Sequence, residues 1–63
     1  MKYRVHFPLT FMVSACSDIV EESRRETKEE QALWHYNKRR EHDGLPPIKR
    51  LPEGTRFEPI HES

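Results

Sequence analysis

The sequence holds a single cysteine, Cys16, among its 63 residues. That excludes an internal disulfide framework and a cysteine-built zinc site. It has only two glycines, Gly44 and Gly54, so no glycine-rich loop is available to cradle a phosphate. No stretch approaches the roughly 20 apolar residues of a membrane-spanning helix. An excess of charge is missing as well: eleven Lys and Arg face eleven Asp and Glu. A balanced chain is a poor polycation for wrapping nucleic acid and a poor polyanion for imitating it. Length is scarce too. A domain this small buries only about 60% of its unfolded surface, which leaves a thin core and no enclosed substrate cavity. Apolar residues make up 33% and charged residues 35%, polar for a globular domain but less extreme than disorder.

What is present begins with alternation. Tyr3, Val5, Phe7, Leu9, Phe11, Val13 and Ala15 fill every odd position of the opening segment, with Lys2, Arg4, His6, Thr10 and Ser14 between them. A two-residue period is what a strand with one buried face requires. Pro8 lacks an amide donor, so the expectation is an edge strand, or two shorter strands bending at Pro8. An edge of this kind, carrying Val5, Phe7, Leu9 and Phe11, also offers a route to a strand-mediated homodimer.

The same segment has a second reading. Met1-Lys2-Tyr3-Arg4 is basic, a largely uncharged run follows, and Val13-Ser14-Ala15-Cys16 closes it. The pattern resembles a bacterial lipoprotein signal with its lipobox. That resemblance implies removal of residues 1–15, lipidation of Cys16 and membrane anchoring. Pro8, Thr10 and His6 depart from such a signal by shortening its apolar stretch, and a signal has no reason to alternate. The strand reading, with a reduced thiol in a cytoplasmic protein, is the one pursued.

Residues 17–31 turn abruptly acidic, six acids against three bases. Ile19 and Val20 mark a second strand or a loop there, with a helix running on from Asp18 as the alternative. Thr27-Lys28-Glu29-Glu30 is a capping-box pattern that starts a helix over about 28–42. Acids open that helix and Lys38, Arg39, Arg40 and His42 close it, as the helix dipole favours. Gly44 supplies a left-handed cap, and Pro46-Pro47 forbids continuation. Pro52-Glu53-Gly54 is turn chemistry flanked by Ile48–Leu51 and Thr55–Ile60, which predicts a C-terminal hairpin. The sum is one α+β domain over residues 1–60: N-terminal strand or strands, one amphipathic helix and a hairpin forming a small antiparallel sheet, with 61–63 as a frayed tail.

No constellation suggests catalysis. His35 and His42 lie about 10 Å apart along a helix, too far to share a metal ion. Cys16 lacks a nucleophile signature, and Glu26 and Glu30 are explained by the helix start. Neither a metal site nor a cofactor is expected. The most functional-looking run is Trp34-His35-Tyr36-Asn37-Lys38-Arg39-Arg40, followed by Lys49-Arg50 and Arg56. Aromatics beside bases are enriched at interface hot spots. The expected partner-binding residues are Trp34, Tyr36, Lys38, Arg39, Arg40, Lys49 and Arg50. In size and element order the chain resembles the small strand–helix–hairpin proteins of phages and mobile elements, which block host enzymes or defence complexes such as CRISPR effectors. That likeness implies a non-enzymatic inhibitor that occludes a host protein. The alternatives are a nucleic-acid-binding protein using the basic patch over 38–56, and the lipoprotein above.

Overall fold

A computed structural model describes residues 1–61. The fold is α+β, with three strands and one helix among the described residues: β1 (Lys2–Phe7), β2 (Cys16–Glu21), α1 (Lys28–His42) and β3 (Arg56–Pro59). The strands form one antiparallel sheet in the order β2-β1-β3. In β1, Val5 and Phe7 are buried and Tyr3 half-buried, so the odd-numbered face points inward over this stretch. Pro8 ends the strand.

Two expectations for this region are corrected. β1 is the central strand, paired to β2 from Lys2↔Glu21 to Phe7↔Cys16 and to β3 from Tyr3↔Pro59 to His6↔Arg56. Its backbone is used on both sides, which removes it as a dimerisation edge. The alternation also stops being structural after Phe7: Leu9 and Phe11 are exposed, and only Val13 returns to the core. Cleavage before Cys16 would take away the central strand together with three of the six buried apolar side chains among the described residues. Among the described residues, no helix is long and apolar enough to cross a membrane.

Residues 16–21 form a strand rather than the start of the helix. Val20 sits opposite Tyr3 and fills the core, while Ile19 faces away from the helix. The helix begins where its cap predicts: the N–H of Glu30 donates to Thr27 Oγ1 at 3.2 Å. It ends in a Schellman arrangement, with Leu45 N–H donating to the Arg40 carbonyl and Gly44 N–H to the Glu41 carbonyl. Gly44 adopts φ +78°, which a Cβ would disfavour. Ala32 and Tyr36 turn inward, and the Tyr36 ring lies 4.8 Å from that of Phe7.

The C-terminal hairpin is also corrected. Residues 48–51 form no strand; β3 pairs with β1 instead, so the sheet closes over a long range. Ile48 and Leu51 still pack against the core, as the sequence requires of apolar residues, but as an irregular segment. The turn between Pro52 and Thr55 is present, with Thr55 N–H donating to the Pro52 carbonyl at 3.2 Å and Gly54 at φ +97°. His61 follows β3 outside any element, and the rest of the tail expected to fray lies outside the described residues.

Candidate functional site

Each helical residue advances about 100° around the axis. With Tyr36 directed into the core, Trp34 must stand on the far side of α1, and it is 59% exposed. Lys38 lies one turn further along the same face. Its Nζ sits 5.4 Å from the Trp34 ring centre and 3.6 Å from Glu41 Oε2. On the other flank the His35 ring meets the indole edge-on at 5.2 Å, while its Nδ1 lies 3.0 Å from Asp18 Oδ2. Trp34 thus forms a ridge between two open clefts. One, of about 520 Å3, is lined by Glu26, Glu30, Gln31 and His35. The other, of about 280 Å3, is lined by Asn37, Lys38, Glu41, Leu45 and Pro47.

The second cleft exists because the chain after α1 is tied back to the helix. The Asn37 carboxamide grips Ile48 twice: Nδ2 donates to its carbonyl at 3.0 Å, and its N–H donates to Oδ1 at 2.9 Å. Arg40 Nε donates to the Pro46 carbonyl at 2.8 Å. Lys49 and Arg50 are therefore displayed, exposed, on a loop pinned at Pro46 and Ile48.

This geometry divides the seven expected contact residues. Tyr36 is corrected outright: at 1% exposed it is a core residue, because its position on the helix faces Phe7. Arg40 is half-buried and committed to the loop tether. Arg39 is exposed, but five residues from Trp34 it points roughly 140° away from it. Trp34 and Lys38 share one face, and Lys49 and Arg50 stand on the tethered loop. The basic run over 38–56 is thus split, with Lys38 on the Trp34 face and the other bases on the last turn of α1, the tethered loop and the start of β3.

Electrostatics at the helix start are local. Glu29's own backbone N–H holds its carboxyl below the usual carboxylate range, against the effect of desolvation and with help from the Lys28 ammonium. The hydrogen bond to Glu29 raises the Lys28 pKa, opposed by desolvation and supported by the charges of Glu29 and Glu22. Lys28 Nζ also lies 5.1 Å and 5.6 Å from the ring centres of Tyr3 and Phe57. Among the described residues, no three His, Cys, Asp or Glu side chains converge as metal ligands.

No protein family, curated protein or solved structure matches the chain. The site therefore rests on its own geometry. Sequence reading missed Asn37 and Gln31, whose carboxamides act on backbone groups 11 and 10 residues away. No local pattern marks such a role. It also missed the exposure of Leu9, Phe11 and Met12. There the signal was Pro8, which ends the ladder before them.

Proposed function

We propose that this protein is a non-enzymatic binding module that docks on another protein through the Trp34 face and works by occluding it. The observation that carries this reading is Trp34 itself: a large aromatic, 59% exposed, standing between two clefts of mixed polarity. A solvent-exposed tryptophan framed by Glu30, His35, Lys38 and Glu41 offers an apolar anchor within a charged rim, the arrangement that hot spots favour. The charges of that rim have both signs, which suits a protein surface better than a phosphate backbone. The likeness to phage-type inhibitors loses its hairpin in this fold. What it contributes is the mode of action, stoichiometric occlusion by a small rigid domain.

The test is affinity capture with the full chain from nuclease-treated lysate of the source cell, compared with Trp34→Ala. The reading expects a partner retained by the native chain at moderate salt and lost with Trp34→Ala, while circular dichroism stays unchanged. Nucleic-acid binding would show instead a steep linear fall of log affinity with log salt, on the nucleic acid alone. A partner captured equally by Trp34→Ala overturns the assignment of this face.

A further inference from the structure

The β1–β2 connection carries a second surface. From Phe7 to Ser17 the chain has no ionisable side chain apart from Cys16, within a sequence that is 35% charged. Three of its large apolar residues are turned out to solvent: Leu9 is 74% exposed, Phe11 100% and Met12 61%. This exposure is built rather than loose. Thr10 N–H donates to the Val13 carbonyl at 2.9 Å, and Val13 N–H donates to Thr10 Oγ1 at 3.1 Å. The bonds close a tight turn with Phe11 and Met12 at its tip. Val13, 2% exposed, plugs the core beneath it. At the base, Pro8 packs against the 52–55 turn so closely that a Cβ on Gly54 would sit 3.3 Å from Pro8 Cβ.

The fold gathers positive charge at this same end. β1 leads to Phe7, whose ring meets Tyr36; one turn beyond Tyr36 come Arg39 and Arg40. The turn against Pro8 leads directly into Arg56, which pairs with His6. Segment 38–56 carries six bases against three acids. The opposite end, where β2 finishes and α1 begins, is close to balanced: the five acids of 21–30 stand with Arg24, Arg25 and Lys28, and Lys2 pairs beside Glu21. An apolar tip beside the segment with the surplus of bases is complementary to an anionic lipid surface.

We propose that the Leu9–Phe11–Met12 tip is a reversible membrane-docking element that inserts at the interface of an anionic bilayer, with the basic end of the molecule against the headgroups. A protein partner fits this tip less well. The tip offers no charged side chain to fix a register, and its one hydroxyl, Thr10, is taken up by Val13 within the turn. Three side chains of at most about 150–250 Å2 each also fall short of the roughly 800 Å2 that a stable protein interface covers on each partner. A bilayer needs only apolarity and charge, and either signal alone gives marginal binding. Each base near the surface contributes roughly fivefold in partitioning at low salt, and less as salt rises. This surface is separate from the Trp34 face, so the two readings stand or fall independently.

The experiment is sedimentation of the full chain with vesicles of phosphatidylcholine alone, or of phosphatidylcholine mixed with an equal part of phosphatidylglycerol. The expected result is salt-sensitive binding to the anionic vesicles, at least tenfold weaker on neutral ones. Phe11→Ser with Met12→Ser should weaken anionic binding at least tenfold, with the far-ultraviolet circular dichroism and urea midpoint unchanged. Lys49→Gln with Arg50→Gln should weaken it several-fold. Arg24→Gln with Arg25→Gln, an equal charge change at the other end, should leave it intact. Absence of binding to anionic vesicles overturns the proposal, as does binding that survives the double serine substitution. Self-association without lipid that disappears with Phe11→Ser would assign the tip to a second copy of the chain and also overturn it.

Discussion

The side chain of Gln31 closes the outer edge of β2 at Glu21. Its Oε1 accepts from Glu21 N–H at 2.9 Å, and its Nε2 donates to the Glu21 carbonyl. Both groups point away from β1, because Glu22 N–H, one residue on, is the one that bonds back to the Met1 carbonyl. A helix side chain thus stands in for the next strand. Two residues earlier, Asp18 Oδ1 takes the outward N–H of Ile19 at 2.9 Å. On the other edge, Pro59 has no N–H to offer. These devices blunt an exposed sheet edge without covering it.

Gln31→Ala is therefore expected to reopen β2. Water replaces the lost bonds at this exposed site, so unfolding in urea should show a loss of only about 1 kcal/mol. The larger effect should be concentration-dependent self-association in analytical ultracentrifugation. A variant that stays monomeric at high concentration would show that the edge needs no such cover.

Asn37 has a comparable role on the other side of α1. Asn37→Ala removes both bonds to Ile48 and should cost about 1–2 kcal/mol. Amide exchange at Ile48 should accelerate while exchange in β1 does not. Asn37→Asp keeps the acceptor and loses the donor, so it should fall between the two. Equal exchange at Ile48 in all three chains would mean that core packing of Leu45, Ile48 and Leu51 holds the loop without the clamp.

Tyr36→Ala should unfold the protein. Truncating a buried aromatic costs about 3–5 kcal/mol, comparable with the whole stability of a domain this small. Tyr36→Phe keeps the ring against Phe7 and should leave the fold and any binding intact. A folded Tyr36→Ala chain, seen by circular dichroism, would contradict its place in the core.

Much of this fold is written locally. Thr27 and Gly44 bracket α1 because capping is a matter of a few neighbouring atoms, and the Tyr3–Phe7 alternation states which face of β1 is buried. Pairing is not local. Nothing in residues 2–7 says that 56–59 rather than 48–51 will join the sheet, and alternation cannot tell a central strand from an edge. Leu9 and Phe11 continue the odd-numbered apolar pattern by position only, since the ladder has already ended at Pro8. The site divides the same way. Trp34 and Lys38 are four residues apart on one helix, so their shared face is legible. The tethering of Arg40 to Pro46 and the pinning of the loop that carries Lys49 and Arg50 depend on contacts that no spacing announces.

The helix start should respond to acid. Glu29's backbone N–H lowers its carboxyl pKa in the folded state. Its contribution is therefore complete above the unfolded carboxylate range and is lost as pH falls through the lower folded value. Thermal melts of the native chain should lose stability over that acidic window. Glu29→Gln should show a shallower acid limb, with a small loss of stability at neutral pH that disappears as the two chains converge in acid. Identical acid limbs would place the sensitivity at other carboxylates.

The account turns on Trp34 being the anchor, and the chain contains no other tryptophan to confuse the signal. Fluorotryptophan incorporated at this position and read by fluorine NMR reports the indole directly while the captured partner is titrated in. Docking through this face requires the resonance to shift and broaden in step with complex formation, and solvent isotope sensitivity to fall as the ring leaves water. A complex that forms with the fluorine resonance and its solvent sensitivity unchanged would contradict it.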